Sequence, residues 1–345
     1  MSSHLLNSFL LTAQLETAGD KCQENPLDVF LMNGYKIETL VYTNENSLQV
    51  LEKVCNQINV PNEYVPYFSL FIMKKEEDNT CTIVRQLHNY ESPHISLKNI
   101  KGSHKIVLRK SYWDPDYDQE LMTDKVTLNL LYTQTVADIE HSWVFCPNEI
   151  SHELASLQAR GAKKQYLKLA RTLKYYGFLQ FSPCVCDYPR PGTSVNVSAG
   201  HRELNLRFKL NNGEILEGSF RVARMRCWRI TTHNDNHNVD DESREPRMEL
   251  SFEYLMAKGN LKWITIESPQ AILLSICLQS IVDELMLRKN GAKVKHSNSN
   301  HSIKSEKSND CDYLRYLKRN GSSQIITLSQ SSSSDCVSSS STVSI

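Results

Sequence analysis

The chain has 345 residues, Lys+Arg and Asp+Glu both equal to 39, a hydrophobic fraction of 40% and a charged fraction of 23%. That length admits two or three domains with cores of their own, and the near-average composition excludes wholesale disorder. The balanced charge excludes a global basic field for nucleic acid or anionic lipid, and no run approaches the roughly 18 apolar residues a membrane span needs.

The first residues, MSSHLLNSFLLTAQLE, lack the basic start and small-residue end of a signal peptide. From residue 27, LDVFLMN, an Asn33-Gly34 turn and YKIETLVY read as a hairpin, because Asn-Gly between two strand-like runs favours a tight two-residue turn. SLQVLEKVCNQI follows with Leu48, Leu51, Val54, Cys55 and Ile58 at helical spacing, Asn46 as the cap and Gln49 three residues on. Further strands fit at 67–73, 82–87 and 105–109, so the spacing predicts a ubiquitin-like β-grasp over residues 26–110.

Over 111–178 β-branched alternation gives way to helical runs near 124–142, 147–160 and 163–176, with Pro147 suited to a first helical position and Gly177 to a stop. Residues 179–289 return to about seven strands, with LNLRFKL and LKWITI alternating most cleanly. They are closed by a long helix that starts at Ser268-Pro269 and runs AILLSICLQSIVDELMLRK. Strands closed by one C-terminal helix give the order of a pleckstrin-homology or phosphotyrosine-binding (PTB) sandwich. Residues 290–345 are Ser-rich and read as disordered, with a short helix at 312–318.

An α+β module of β-grasp, helical lobe and PTB-like sandwich is the FERM-like order. YFSLF at 67–71, KIVLRKSYWD at 105–114, RMRCWRIT at 224–231, FEYLM at 252–256 and SPQAILLSICLQSIVDELM at 268–286 resemble the FERM-like sorting nexins, closest to the sorting nexin-31 branch and its relative sorting nexin-17. The resemblance covers about residues 5–290. It implies an endosomal sorting adaptor, cytoplasmic and peripheral on early or recycling endosomes, whose third lobe binds Asn-Pro-x-Tyr and Asn-Pro-x-Asn-x-x-Tyr/Phe motifs. The implied partners are cytoplasmic tails of membrane receptors, of the integrin or lipoprotein-receptor class, and an endosomal retrieval complex.

Carried over by position, Trp228, Leu255, Val282 and Met286 fall where the family contacts its peptide. A peptide adding as a strand to the edge formed by Met225, Arg226, Cys227, Trp228, Arg229, Ile230 and Thr231 would gain main-chain hydrogen bonds. Trp228 would serve as a rigid anchor, with Val282 and Met286 forming an adaptable apolar wall. Family members begin with a phosphoinositide-binding PX domain, of which only HLLNSFLLTAQ within residues 1–20 resembles the closing helix; contact with phosphatidylinositol 3-phosphate is therefore not expected from these residues. The family's acidic, apolar C-terminal end is likewise absent from the Ser-rich tail.

The ten cysteines lack a regular disulfide spacing and read as reduced thiols. Cys184-x-Cys186 has no CxxC partner or His at ligand spacing, and His233-Asn234-Asp235-Asn236-His237 lies in a polar loop, so no metal is expected. Neither GxGxxG, GxxxxGK[ST], GxSxG nor HExxH occurs, and no cofactor or catalytic activity is expected. The basic residues at 160–174 read as a solvated helix face. The alternative to a cargo adaptor is a FERM-type membrane–cytoskeleton linker.

Overall fold

The computed structural model describes residues 24–76, 80–100, 102–209, 215–233, 247–257, 259–289 and 340–344. The expected helix remnant at 1–20, the short helix at 312–318 and most of the 232–247 loop lie outside them.

In the first lobe, β1 (Glu24–Phe30) and β2 (Lys36–Tyr42) form the expected antiparallel hairpin, with Gly34 at φ 81° where a Cβ would be strained. Helix α1 (Ser47–Gln57) carries a complete capping box: the Asn46 side chain accepts from the Gln49 N–H, and the Gln49 side chain accepts from the Asn46 N–H. Strands β3 (Phe68–Lys75), β4 (Cys81–Gln86) and β5 (His104–Lys110) complete a sheet in the order β2-β1-β5-β3-β4, with β5 parallel to β1 as in a β-grasp. A short helix, α2 (Pro93–Lys98), capped by Ser92, was not anticipated from spacing.

The second lobe holds α3 (Asp118–Leu121), α4 (Lys125–Glu140), α5 (Asn148–Ala159) and α6 (Lys163–Ala170). Pro147 is the residue before α5 rather than its first, and the run expected to reach residue 176 breaks into turns after Ala170. Asp124 caps α4 by accepting from the Val126 and Thr127 N–H groups.

The third lobe is one curled sheet in the order β10-β9-β8-β7-β13-β12-β11-β14, with the two-residue β6 (Leu179–Gln180) pairing β8. Its strands are β7 (Cys184–Cys186), β8 (Thr193–Gly200), β9 (Glu203–Lys209), β10 (Ile215–Arg221), β11 (Met225–His233), β12 (Arg247–Leu255), β13 (Leu261–Glu267) and β14 (Ser340–Ser344). Helix α7 (Ala271–Lys289) packs across it, burying Leu273, Leu274, Cys277, Leu278 and Ile281 against Leu204, Leu206, Trp228 and Phe252. The expectation of a wholly disordered tail needs correction at one place, because Ser340–Ser344 forms an edge strand.

The lobes are joined by buried polar chemistry. Arg109 of β5 makes a bidentate pair with Asp138 of α4 at 2.9 and 3.3 Å. Asp118, fully buried, accepts from the Tyr112 and Tyr176 hydroxyls and pairs with Lys110 at 3.3 Å. Burial first, and the neighbouring Asp118 carboxylate second, pushes both tyrosines well above their ordinary pKa. Gln270, just ahead of α7, donates to the Ile83 carbonyl of β4 at 2.6 Å and accepts from the Ser182 N–H at 2.8 Å, fastening the first lobe to the third.

Candidate peptide-binding groove

Strand β11 is the last but one of the third-lobe sheet, between β12 and β14. One side pairs with β12 from Met225↔Tyr254 to His233↔Arg247; the other pairs antiparallel with β14, from Cys227↔Ser344 to Thr231↔Ser340. A register shift between Met225 and Cys227 leaves Arg226 as an extra residue opposite β12, a β-bulge. The bulge resets the strand's alternation, so that Cys227 lies opposite Glu253 while Trp228 lies opposite Phe252 on the face toward α7.

Trp228 is thereby 1% exposed, and its indole N–H donates to Ser275 Oγ of α7 at 3.0 Å. A rigid anchor contacting the peptide was the expectation. The structure instead makes this side chain the floor tying strand to helix, and only its backbone belongs to the edge. Ile230, two residues on and hence on the same face, is half-buried and packs against the same core as Val282 and Leu285 of α7. Met286, one turn beyond Val282, is also half-buried. Ile230, Val282 and Leu285 are thus partly buried apolar side chains packed against the core that β11 and α7 share.

Leu255 does not join them. Along β12, Leu250, Phe252 and Tyr254 face the core; Leu255 alternates to the opposite face, where it is 39% exposed and pairs with Leu261 of β13. Met225 is buried in the core, on the Tyr254 side of the bulge. Arg226 and Arg229 point outward: Arg226 pairs with Glu253 at 3.3 Å, and the Arg229 guanidinium stacks 4.7 Å from the Trp263 ring. The Cys227 thiol is pushed up by burial and by the Glu253 carboxylate, which makes it a poor nucleophile.

Sequence reasoning missed Ser275 and Leu285. The apolar-polar alternation of LSFEY could have placed Leu255 on the outer face, and the four-residue spacing from Cys277 to Leu285 could have added Leu285. Among the described residues no group of His, Cys, Asp and Glu is arranged to hold a metal ion, and no helix is long and apolar enough to cross a membrane.

Three family models match consecutive stretches: the sorting nexin 17/27/31 FERM F1 lobe over residues 25–113, the sorting nexin 17/31 FERM F2 lobe over 114–174 and the sorting nexin 17 FERM C-terminal domain over 177–286. The chain belongs to the sorting nexin 17/31 FERM family. Sorting nexin-17 of Danio rerio is 46% identical over 301 residues, covering 85% of this chain and 64% of the relative. Sorting nexin-31 of Homo sapiens is 31% identical over 291 residues, covering 84% and 66%. Identity is thus higher to these sorting nexin-17 sequences than to sorting nexin-31, the reverse of the order the motifs suggested. The chain spans about two thirds of the length of these curated relatives.

Solved FERM structures share the fold at low identity. The FERM and C-terminal domain complex of Drosophila Merlin has a TM-score of 0.53 at 13% identity, covering 77% of this chain and 98% of that one. The Dictyostelium myosin VII MyTH4-FERM MF2 domain has a TM-score of 0.52 at 10% identity, covering 82% and 62%.

Proposed function

We propose that this sorting nexin FERM module is a non-enzymatic endosomal sorting adaptor. Its third lobe captures Asn-Pro-x-Tyr and Asn-Pro-x-Asn-x-x-Tyr/Phe segments in receptor tails for recycling, and the peptide adds as a strand to β11 beneath α7. The observation that carries this reading is that the outer edge of β11 accepts an antiparallel strand, β14, from its own chain over five residue pairs, Cys227 to Thr231. Strand addition supplies sequence-independent main-chain hydrogen bonds, and specificity comes from side-chain pockets beside the strand. In this reading the partly buried Ile230, Val282 and Leu285, with Met286 one turn beyond Val282, would line those pockets. Trp228, Met225 and Cys227 shape the strand from within, while Arg226 and Arg229 flank it on the outer face. Leu255 is assigned no contact in this reading.

Receptor tails are accordingly the proposed partners, and a retrieval complex would be engaged through segments other than the groove. No described residue is assigned to phosphatidylinositol 3-phosphate. Calorimetric titration of the full chain with an Asn-Pro-x-Tyr peptide tests the proposal. A dissociation constant on the order of micromolar to tens of micromolar is expected, since a short strand buries little surface. Met286→Glu, checked for folding by circular dichroism, should abolish binding because it puts a charge in that apolar lining. A folded wild-type chain that binds no such peptide would end the adaptor reading in favour of a membrane–cytoskeleton linker.

A further inference from the structure

The wall of this groove is not held by the third lobe alone. The last fully buried residue of α7 is Ile281, and none of Val282 to Lys289 is buried. Besides the packing of Val282 and Leu285 against the third-lobe core, these two turns are held by a polar stripe at residues 280, 284 and 288, each one helical turn from the next. The Glu284 carboxylate accepts the main-chain N–H of Trp113 at 2.9 Å with one oxygen and that of Asp114 at 2.8 Å with the other. Ser280 Oγ accepts the Trp113 indole N–H at 2.9 Å. Arg288 pairs with Asp114 and, at 3.1 Å, with Asp116, and its guanidinium lies 5.7 Å from the Tyr117 ring. Asp114 is also held by Arg202, from the β8–β9 turn, at 2.5 Å. Residues 113–117 are the connection between the first lobe and the second. At about 100° per residue, Val282 and Met286 lie roughly 200° around the helix from Ser280 and Glu284. One side of α7 therefore grips the interlobe connection while the far side walls the groove.

We propose that Glu284 is a positioning residue for the groove: through its paired contacts with Trp113 and Asp114, seconded by Ser280 and Arg288, it sets the distance between Val282–Met286 and β11, so that peptide affinity depends on the first and second lobes as well as the third. This rests on the strand-addition reading above. A carboxylate suits the task because its two oxygens receive two adjacent main-chain N–H groups in a fixed fork. Burial raises the Glu284 pKa, opposed by those two N–H groups, consistent with a site shielded from solvent.

The test uses the full chain and two readouts. Hydrogen exchange of residues 282–289, which needs no peptide, is compared in wild type, Glu284→Ala and Glu284→Gln; titration with the Asn-Pro-x-Tyr peptide is run on the same proteins. Glu284→Ala should accelerate exchange in 282–289 and 113–117, leave the α7 segment 271–281 protected, and weaken peptide binding about tenfold or more. Glu284→Gln keeps one acceptor oxygen and should recover part of both effects. A Glu284→Ala protein that binds peptide as wild type does, or whose last two helical turns exchange unchanged, overturns the proposal; so does a Gln variant as impaired as Ala. If wild type itself fails to bind while exchange responds as described, the strand-addition reading has failed and the positioning role falls with it, the clamp alone remaining.

Discussion

The two halves of α7 do different work by different means. Residues 271–281 are held by apolar burial: Leu273, Leu274, Cys277, Leu278 and Ile281 are at most 3% exposed, and the Trp228–Ser275 hydrogen bond locks the helix to β11. Residues 282–289 include no fully buried residue; beside the partial packing of Val282 and Leu285 they are held by directional polar contacts to the interlobe connection. Apolar burial is non-directional and tolerates small shifts, whereas a forked carboxylate contact fails if either partner moves by an ångström. A helix built this way has a root secured by burial and an end that is adjustable only through its polar contacts, because losing them releases it; that end carries the proposed peptide wall.

Substitutions should separate the halves. Leu278→Ala, in the root, removes a fully buried side chain and is expected to cost about 2–5 kcal/mol of stability. The denaturant midpoint followed by tryptophan fluorescence would measure it, and a change below about 1 kcal/mol would contradict the description of the root. Ser275→Ala leaves the buried Trp228 N–H without its acceptor, at about 1–3 kcal/mol by the same measurement. Leu287→Ala, near the adjustable end, should stay within about 1 kcal/mol, since its side chain is only half-buried.

Acid should loosen the end before the root. Burial pushes the Asp114 carboxyl up, but the Asp116 N–H, Arg202 and Arg288 outweigh it and hold the group below its ordinary value. A depressed pKa means a contribution complete above the ordinary carboxylate value, about 4, and lost as pH falls through the lower folded value. Glu284, raised by burial, has the opposite sign: it favours the folded state most when protonated and less as pH rises through its folded value. In protein labelled with 5-fluorotryptophan, the Trp113 resonance should therefore shift below about pH 4 while that of Trp228 holds. Simultaneous shifts of both would mean that the halves do not come apart. A smaller effect concerns β14: a chain ending at residue 339 should bind the Asn-Pro-x-Tyr peptide a few-fold more tightly, because the peptide no longer competes for the β11 edge; unchanged affinity would show the two strands do not share it.

Much of this architecture was legible because local signals agreed with the tertiary outcome. Asn33-Gly34, the Asn46/Gln49 capping box and the apolar run of α7 each specify a short structure that the fold then uses. The site was less legible. A bulge is one extra residue, and nothing in RMRCWRI marks Arg226 as that residue, so the direction of Trp228 could not be read from alternation. Leu255 was placed by positional resemblance, whereas the period of two along its strand puts it on the face away from α7. Ser280, Glu284 and Arg288 look in sequence like an ordinary solvated face; only the fold brings residues 113–116 against them. Ser340–Ser344 carries no strand signal beyond Thr342 and Val343, and its placement depends on an edge some hundred residues earlier in the chain.

The pairing of β14 with β11 also bears on colloidal behaviour. A terminal strand of a sheet presents a row of unsatisfied main-chain donors and acceptors, which is a template for the same strand of a neighbouring molecule. With β14 in place that row on β11 is occupied from Cys227 to Thr231 and the open edge passes to β14, whose five residues offer a neighbouring molecule a much shorter template than the nine of β11.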